Sequence, residues 1–142
     1  MTEPEPDLIH ILYMSDSRLD RPSALDQLQT LVETSRRNNA AAQITGALMF
    51  TEDNFVQFLE GPAAAVQRLL AKLQVDARHA NLRILLESPA RGRRFGPWTL
   101  AYCGPAEFVR AELDAVAGCG QSGETARARL IDLMVAFAAA AD

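Results

Sequence analysis

Residues 53–61 read DNFVQFLEG, and their side chains alternate like those of a half-buried β-strand. Phe55, Gln57 and Leu59 share one face, so the amide of Gln57 has a large apolar neighbour on each side. A buried amide that finds no hydrogen-bond partner costs about 1–3 kcal/mol. The stretch therefore predicts an inward-facing strand in which Gln57 must meet a partner on a neighbouring element.

The flanking sequence supplies the elements around this strand. Residues 8–15, LIHILYMS, are apolar on both faces, as in a central strand. Amphipathic helices are predicted at 24–37 and 62–75, and further strands at 43–50, 55–60, 82–88 and 97–103. The order β-α-β-β-α-β-β is that of a ferredoxin-like sandwich. We expect strands 1 and 3 to lie side by side and parallel, which makes Tyr13 the candidate partner of Gln57.

Two more helices are predicted after Gly104, one ending near Gly118 and one containing LIDLMVAF at 130–137. We expect them to cover the sheet face opposite the first two helices, because Leu12 and Met14 need cover. Any part left open would be a subunit interface, so a homo-oligomer is predicted. The fold class is α+β, a five-stranded mixed sheet with two helices on each face. Residues 8–103 would form one domain and 104–142 a helical extension.

Composition narrows the class of protein. The chain has 142 residues, 49% hydrophobic and 23% charged, which suits one soluble globular domain. The net charge is −4 and no basic run flanks aromatic residues, so nucleic acid is not an expected partner. No apolar stretch approaches the ~20 residues of a membrane span. The acidic, proline-rich start MTEPEPDL is unlike a secretion signal, and Cys103 and Cys119 are interpreted as reduced thiols of a cytoplasmic protein.

Several polar residues fall around the predicted cleft between the first two helices. Tyr13 and Gln57 could form only a core hydrogen bond, but one phenol cannot satisfy every donor and acceptor of the amide. Asn39 could have a purely structural role as a helix C-cap. Arg78 and His79 could likewise be cations that stabilise a helix terminus. Together they would border a site for a flat apolar ligand with one polar edge.

Catalysis has little support in the sequence. Ser-His-Asp sets, phosphate-binding glycine loops, metal-ligand spacings and paired carboxylates are all missing, and Glu60 faces away from Gln57. Trp98 is predicted to share a face with Leu100 and could simply pack in the core. The arginine-rich loop at 91–94 could simply be exposed to solvent. We therefore expect neither an enzyme nor a metal site.

Five motifs resemble the BLUF domains, which are flavin-binding sensors of blue light. They are YMS, SRRNNAAAQITGALMF, NFVQFLEGP, VDARH and RRFGPW, in the order and spacing of that family over about residues 8–103. The resemblance implies FAD, with FMN or riboflavin as alternatives, held non-covalently between the two helices. It also implies blue-light sensing, in which Tyr13 gives an electron and a proton and the amide of Gln57 rotates or tautomerises.

The resemblance assigns roles to individual residues. Tyr13 and Gln57, with Trp98 nearby, would be the photoactive group. The cofactor-binding positions would be Ser15, Leu31, Ser35, Asn39, Leu48, Phe55, Gln57, Arg78 and His79. Leu100 departs from the methionine that many members have two residues after the tryptophan.

The chain is too short for an added effector domain, so we expect signalling to a separate partner protein. The main alternative is a light-insensitive interaction module of the same fold. A third alternative is an acylphosphatase-like hydrolase. Such an enzyme needs a glycine-containing loop after the first strand, and the loop of this chain, SDSRLDRP, contains no glycine.

Overall fold

The computed structural model describes residues 7–19, 24–50, 53–96, 98–105 and 124–140. Its elements are β1 (Leu8–Ser17), α1 (Ala24–Ala42), β2 (Thr45–Phe50), β3 (Asn54–Pro62), α2 (Ala63–Gln74), β4 (His79–Ala90), β5 (Ala101–Pro105) and α3 (Glu124–Ala140). The sheet order is β4-β1-β3-β2-β5. The predicted ferredoxin-like class is confirmed by this order.

β1 and β3 are neighbours, as predicted, but they run antiparallel and not parallel. The reason is topological. The crossover through α1 makes β2 run parallel to β1, and the tight β2–β3 hairpin then reverses β3. β5 pairs in parallel with β2, so the sheet is mixed. In the resulting register Tyr13 stands directly opposite Gln57, and Gln57 directly opposite Leu48.

The two faces of the sheet carry separate apolar clusters. α1 and α2 cover one face. Val32 of α1 packs in a cluster with Leu48 and Phe55. Val66 and Leu70 of α2 pack in a second cluster with Ile11 and Leu59. α3 covers the other face with Leu130, Ile131 and Met134, which pack with Leu12, Met14, Val56 and Phe58. The predicted cover for Leu12 and Met14 is therefore confirmed for the last helix. The helix predicted before it lies outside the described residues.

α1 is longer than its pattern predicts, because it continues past residue 37 through the asparagines to Ala42. Gln43 then adopts a left-handed backbone with φ 61°. The amide of Ile44 donates to the carbonyl of Asn39, and that of Gln43 to the carbonyl of Ala40. These two bonds define a Schellman ending, normally built with glycine. Asn39 therefore lies inside the last turn, and its interpretation as a C-cap is wrong.

Two strand boundaries also differ from the predictions. β4 begins at His79, three residues before the predicted strand, so His79 belongs to the sheet and not to a turn. β5 begins at Ala101, because residues 98–100 are irregular. The division into a domain at 8–103 and an extension stays a prediction, although β5 itself continues to Pro105.

Glu60 is a fully buried carboxyl on the α3 face. It accepts hydrogen bonds from the backbone amides of Arg94 (2.6 Å) and Phe95 (2.7 Å) and from the Thr45 hydroxyl (2.7 Å). The side chain of Arg94 in turn pairs with Asp132 of α3 at 2.8 Å. One carboxyl thus fixes the loop between β4 and β5, and that loop links the sheet to α3.

Candidate functional site

The floor of the cleft is the cross-strand pair formed by Tyr13 and Gln57. The Tyr13 hydroxyl donates a hydrogen bond to Oε1 of Gln57, and both side chains are buried, with 2% and 6% of their surface exposed. The other end of the amide, Nε2, has no hydrogen-bond partner among the described residues. A buried N–H pair of this kind normally meets a partner, so the cleft is built to receive an acceptor atom.

A cavity of about 490 Å³ opens above this pair, between α1 and α2. Its apolar walls are Leu31, Leu48, Phe55, Leu69, Leu73 and Leu100. Its polar lining consists of Tyr13, Ser35, Asn39, Gln57, Asp76, Arg78 and His79. Apolar walls with a few converging polar groups are typical of small-molecule sites.

Asn39 presents the opposite polarity to Gln57. Its Nδ2 donates to the backbone carbonyl of Thr99 at 2.8 Å, and a carbonyl can only accept, so the amide orientation is fixed. Its Oδ1 has no hydrogen-bond partner among the described residues. The cavity therefore offers a donor from Gln57 and an acceptor from Asn39.

Arg78 and Asp76 form an ion pair at one side of the cavity. Nη2 of Arg78 lies 2.5 Å from Oδ2 of Asp76, and Nε lies 2.9 Å from Oδ1. These hydrogen bonds hold the pKa of Asp76 below its ordinary range. Nη1 of Arg78 is left without a partner in the described part of the chain, so it can donate to a ligand.

The phenol of Tyr13 is held neutral. Burial raises its pKa well above the ordinary value of 10.0, and the negative charge of Asp76 raises it further, while Arg78 acts in the opposite direction. Tyr13 therefore keeps the proton that it shares with Gln57 at any physiological pH.

His79 is fixed by two hydrogen bonds, which determine its tautomer. Nε2 lies 2.5 Å from the carbonyl of Leu73, so this nitrogen carries the hydrogen. In the neutral ring, Nδ1 then accepts from the hydroxyl of Ser15, 2.6 Å away. Ser15 itself is fully buried and does not line the cavity, and its hydroxyl bonds the ring of His79, which does.

Trp98 and Leu100 point to different layers, although the sequence predicts that they share a face. Trp98 packs against Phe95 in the cluster under α3, whereas Leu100 lines the cavity. The alternation fails because residues 98–100 are not a strand. Asn39 and Arg36 of α1 instead hold the carbonyls of Thr99 and Leu100.

Of the predicted site residues, all but Ser15 and Trp98 line the cavity. The cavity is also lined by Leu69, Leu73, Asp76 and Leu100, which were not predicted from the sequence as site residues. Leu69 and Leu73 belong to the apolar stripe of α2, which gives no sign that part of it faces a ligand. Asp76 lies in the VDARH motif, two residues before Arg78, and that spacing is the signal that could have identified the ion pair.

The fold and the cavity define a ferredoxin-like domain with a small-molecule site between its helices and its sheet. The family described as "Sensors of blue-light using FAD" (BLUF) matches residues 8–101. This chain belongs to the BLUF family, whose members are flavin-binding sensors of blue light.

Individual relatives agree with this assignment. The blue light- and temperature-regulated antirepressor BluF of Escherichia coli (strain K12) is 35% identical over 89 residues, which are 63% of this chain and 22% of that protein. The photoactivated adenylate cyclase subunit beta of Euglena longa is 35% identical over 85 residues, 59% of this chain and 10% of that protein. The chain thus spans about a fifth or less of the length of these relatives.

A solved structure supports the fold over nearly the whole chain. The dark-state structure of BlrB, a BLUF protein, has a TM-score of 0.76 and 24% sequence identity. The similarity covers 94% of this chain and 98% of BlrB. It includes the region of α3, so the last helix is part of the shared architecture.

The described residues lack two further features. None of their helices is both long and apolar enough to cross a membrane. Within the same residues, no group of three or more histidine, cysteine, aspartate or glutamate side chains is placed to hold a metal ion.

Proposed function

We propose that this chain senses blue light through a flavin bound in the cavity, and that it signals by rearranging the hydrogen bonds of Tyr13 and Gln57. The observation that carries the proposal is the buried bond from the Tyr13 hydroxyl to Oε1 of Gln57. It leaves Nε2 of the same amide for a ligand atom in the cavity.

The polar groups of the cavity match the polar edge of a flavin. The pyrimidine ring of a flavin carries two carbonyl acceptors with an N–H donor between them. Gln57 and Arg78 supply unpaired donors and Asn39 supplies an unpaired acceptor, which is the complementary set. The apolar walls, including Leu31, Leu48 and Phe55, suit the faces of the ring, and Ser35 and His79 complete the proposed binding positions.

The two photoactive side chains form an element with two arrangements. A bound flavin would supply a strong oxidant when it absorbs blue light. Tyr13 would give one electron to that oxidant and pass its proton to Gln57 along the existing hydrogen bond. The electron and the proton would then both return to Tyr13, and the amide would be left rotated or tautomerised. Because a phenolic oxygen both donates and accepts, it can bond either end of the amide, so both arrangements satisfy Tyr13.

The remaining residues named by the family pattern act indirectly. Ser15 orients the ring of His79, which lies edge-on to Tyr13 with ring centres 6.1 Å apart. Trp98 belongs to the segment that brings Leu100 into the cavity, so it would respond to the photoactive pair through that segment. The rearranged network would then change the conformation of the loop between β4 and β5 and the position of α3, where a separate partner protein would bind.

Illumination of the purified protein tests the proposal. Blue light should shift the flavin absorption band to the red, and the shift should reverse in the dark. Gln57→Leu should still bind flavin but lose the shift, because leucine keeps the bulk and removes the amide. Gln67→Leu is the matched control, since Gln67 is exposed on α2 and should leave the shift unchanged.

A colourless protein that takes up no flavin would contradict the proposal and favour a light-insensitive interaction module. A Gln57→Leu variant with a normal red shift would contradict the mechanism alone. The homo-oligomer and the cytoplasmic location stay predictions, and sedimentation of the purified chain would test the first.

A further inference from the structure

Residues 98–100, which we call the 98–100 segment, precede β5 and form no strand of their own. Their three backbone carbonyls are nevertheless all hydrogen-bonded. The backbone amide of Gly46 in β2 donates to the first carbonyl at 3.2 Å. Side chains of α1 hold the other two, Asn39 the second at 2.8 Å and Arg36 the third at 2.9 Å. Helix side chains therefore replace part of the hydrogen-bonded ladder that a strand would have at this place.

The spacing of these two side chains fixes the conformation of the segment. Arg36 and Asn39 are three residues apart on α1, so they project from the same side of the helix. They hold the carbonyls of two consecutive residues, Thr99 and Leu100. In a strand consecutive carbonyls point in opposite directions, so one helix could not bond both. The two bonds thus favour the irregular conformation in which the side chain of Leu100 lines the cavity.

Arg36 differs from Asn39 in its position relative to the cavity. Asn39 is buried and lines the cavity, so it can contact a ligand directly. Arg36 is exposed, does not line the cavity and has no carboxylate partner among the described residues. What it holds is the carbonyl of Leu100, whose side chain is only 2% exposed and forms part of the cavity wall. Arg36 can therefore influence the site through the position of Leu100.

We infer that Arg36 is a positioning residue, which keeps Leu100 in the cavity wall and thereby slows the return of the light-induced state to the dark state. The inference rests on the proposed function, since it concerns the same photocycle. Leu100 packs in a cluster with Leu48, which stands directly opposite Gln57 in the sheet. A loosened Leu100 would let water reach the amide of Gln57. Water can bond the polar atoms of the amide while it rearranges, so the dark state should return faster.

The recovery kinetics of the flavin-loaded protein test the inference. Arg36→Met keeps most of the length of the side chain and removes the donor. After a pulse of blue light, its absorption change should decay about three- to tenfold faster than that of the wild type, as expected for the loss of one hydrogen bond. Arg36→Lys retains a donor and should recover at nearly the wild-type rate. Arg37→Met, which removes an exposed cation at the next position of α1, should leave the rate unchanged.

A second measurement follows the segment without light or flavin. Trp98, the first residue of the segment, is the only tryptophan of the chain, so the tryptophan fluorescence of the flavin-free protein reports on this segment alone. Quenching of that fluorescence by acrylamide should be stronger in Arg36→Met than in the wild type or in Arg36→Lys. The far-ultraviolet circular dichroism of the three proteins should be the same, because the change is confined to the segment.

The outcomes distinguish this inference from the proposed function. Wild-type recovery kinetics in Arg36→Met would overturn the inference and leave flavin sensing intact. Recovery in Arg36→Lys as fast as in Arg36→Met would do the same, because the donor would then not set the rate. Equal quenching of Trp98 in the wild type and Arg36→Met would overturn the positioning role whether or not flavin binds. Failure to bind flavin, together with stronger quenching in Arg36→Met, would overturn the proposed function and support the positioning role.

Discussion

Two buried side-chain amides, those of Asn39 and Gln57, each use one polar atom to hold the fold and leave the other facing the cavity. Asn39 uses its nitrogen to hold the carbonyl of Thr99, and Gln57 uses its oxygen to accept from Tyr13. Each amide keeps its other polar atom for the cavity. Burial makes an unpaired amide atom costly, so the site is more stable with a ligand that pairs both atoms than without one.

The neutral phenol of Tyr13 leads to a prediction about high pH. Because the pKa of Tyr13 is higher in the folded chain than the ordinary value of 10.0, its contribution to stability is full below about pH 10 and is lost as the pH rises further. In an alkaline titration followed by tyrosinate absorbance, the wild type and Tyr13→Phe should give the same curve up to about pH 11. A tyrosinate that forms near pH 10 in the folded wild type alone would contradict the structure.

At the scale of single elements, the end of α1 decides where Asn39 lies. Had the helix stopped at residue 37, Asn39 would be in the following loop and could not hold the segment before β5. The Schellman ending at Gln43 extends the helix by another turn and places Asn39 above the sheet. The left-handed conformation of Gln43 is the cost of this arrangement.

A glycine at position 43 should therefore stabilise the protein. Gln43→Gly removes the side chain that disfavours a positive φ, and we expect the free energy of unfolding to rise by about 1 kcal/mol. Ala41→Gly, two residues earlier and inside the helix, should lower it by about 1 kcal/mol. Urea denaturation of both variants measures the difference. Destabilisation by Gln43→Gly comparable to that by Ala41→Gly would show that α1 does not end this way.

The elements also show what could be predicted from the sequence. Period-two alternation was enough to place Tyr13 and Gln57 on inward faces, and element order was enough to make their strands neighbours. The predicted parallel direction of β1 and β3 was wrong, because the hairpin between β2 and β3 reverses the chain and makes β3 antiparallel to β1. The end of α1 was missed because a left-handed glutamine carries no pattern.

At the scale of the whole molecule, the loop between β4 and β5 connects both layers. Glu60 of the sheet accepts a hydrogen bond from the backbone of this loop. Arg94 of the loop forms an ion pair with Asp132 of α3. Residues 98–100, which follow the loop, are hydrogen-bonded to α1. The positions of Trp98 and Leu100 depend on these long-range contacts. No local pattern could predict them, which explains why the shared face expected for these two residues was wrong.

Glu60 should be essential to this connection. Glu60→Gln replaces one acceptor oxygen with a donor that faces another donor, so we expect a loss of about 1–3 kcal/mol of stability. Hydrogen exchange at the amides of Arg94 and Phe95 should accelerate at the same time. Glu87→Gln, on exposed β4, should stay within about 0.5 kcal/mol of the wild type. Unchanged exchange at both amides in Glu60→Gln would contradict the role given to this carboxyl.

The central claim is that light changes the hydrogen bond between the amide of Gln57 and the bound flavin. The most direct measurement is the light-minus-dark infrared difference spectrum of the flavin-loaded protein. The account predicts that a flavin carbonyl band moves in the wild type, because the amide atom that faces it changes, and that the band does not move in Tyr13→Phe. The same band shift in Tyr13→Phe would contradict it, because the variant lacks the phenol that starts the rearrangement.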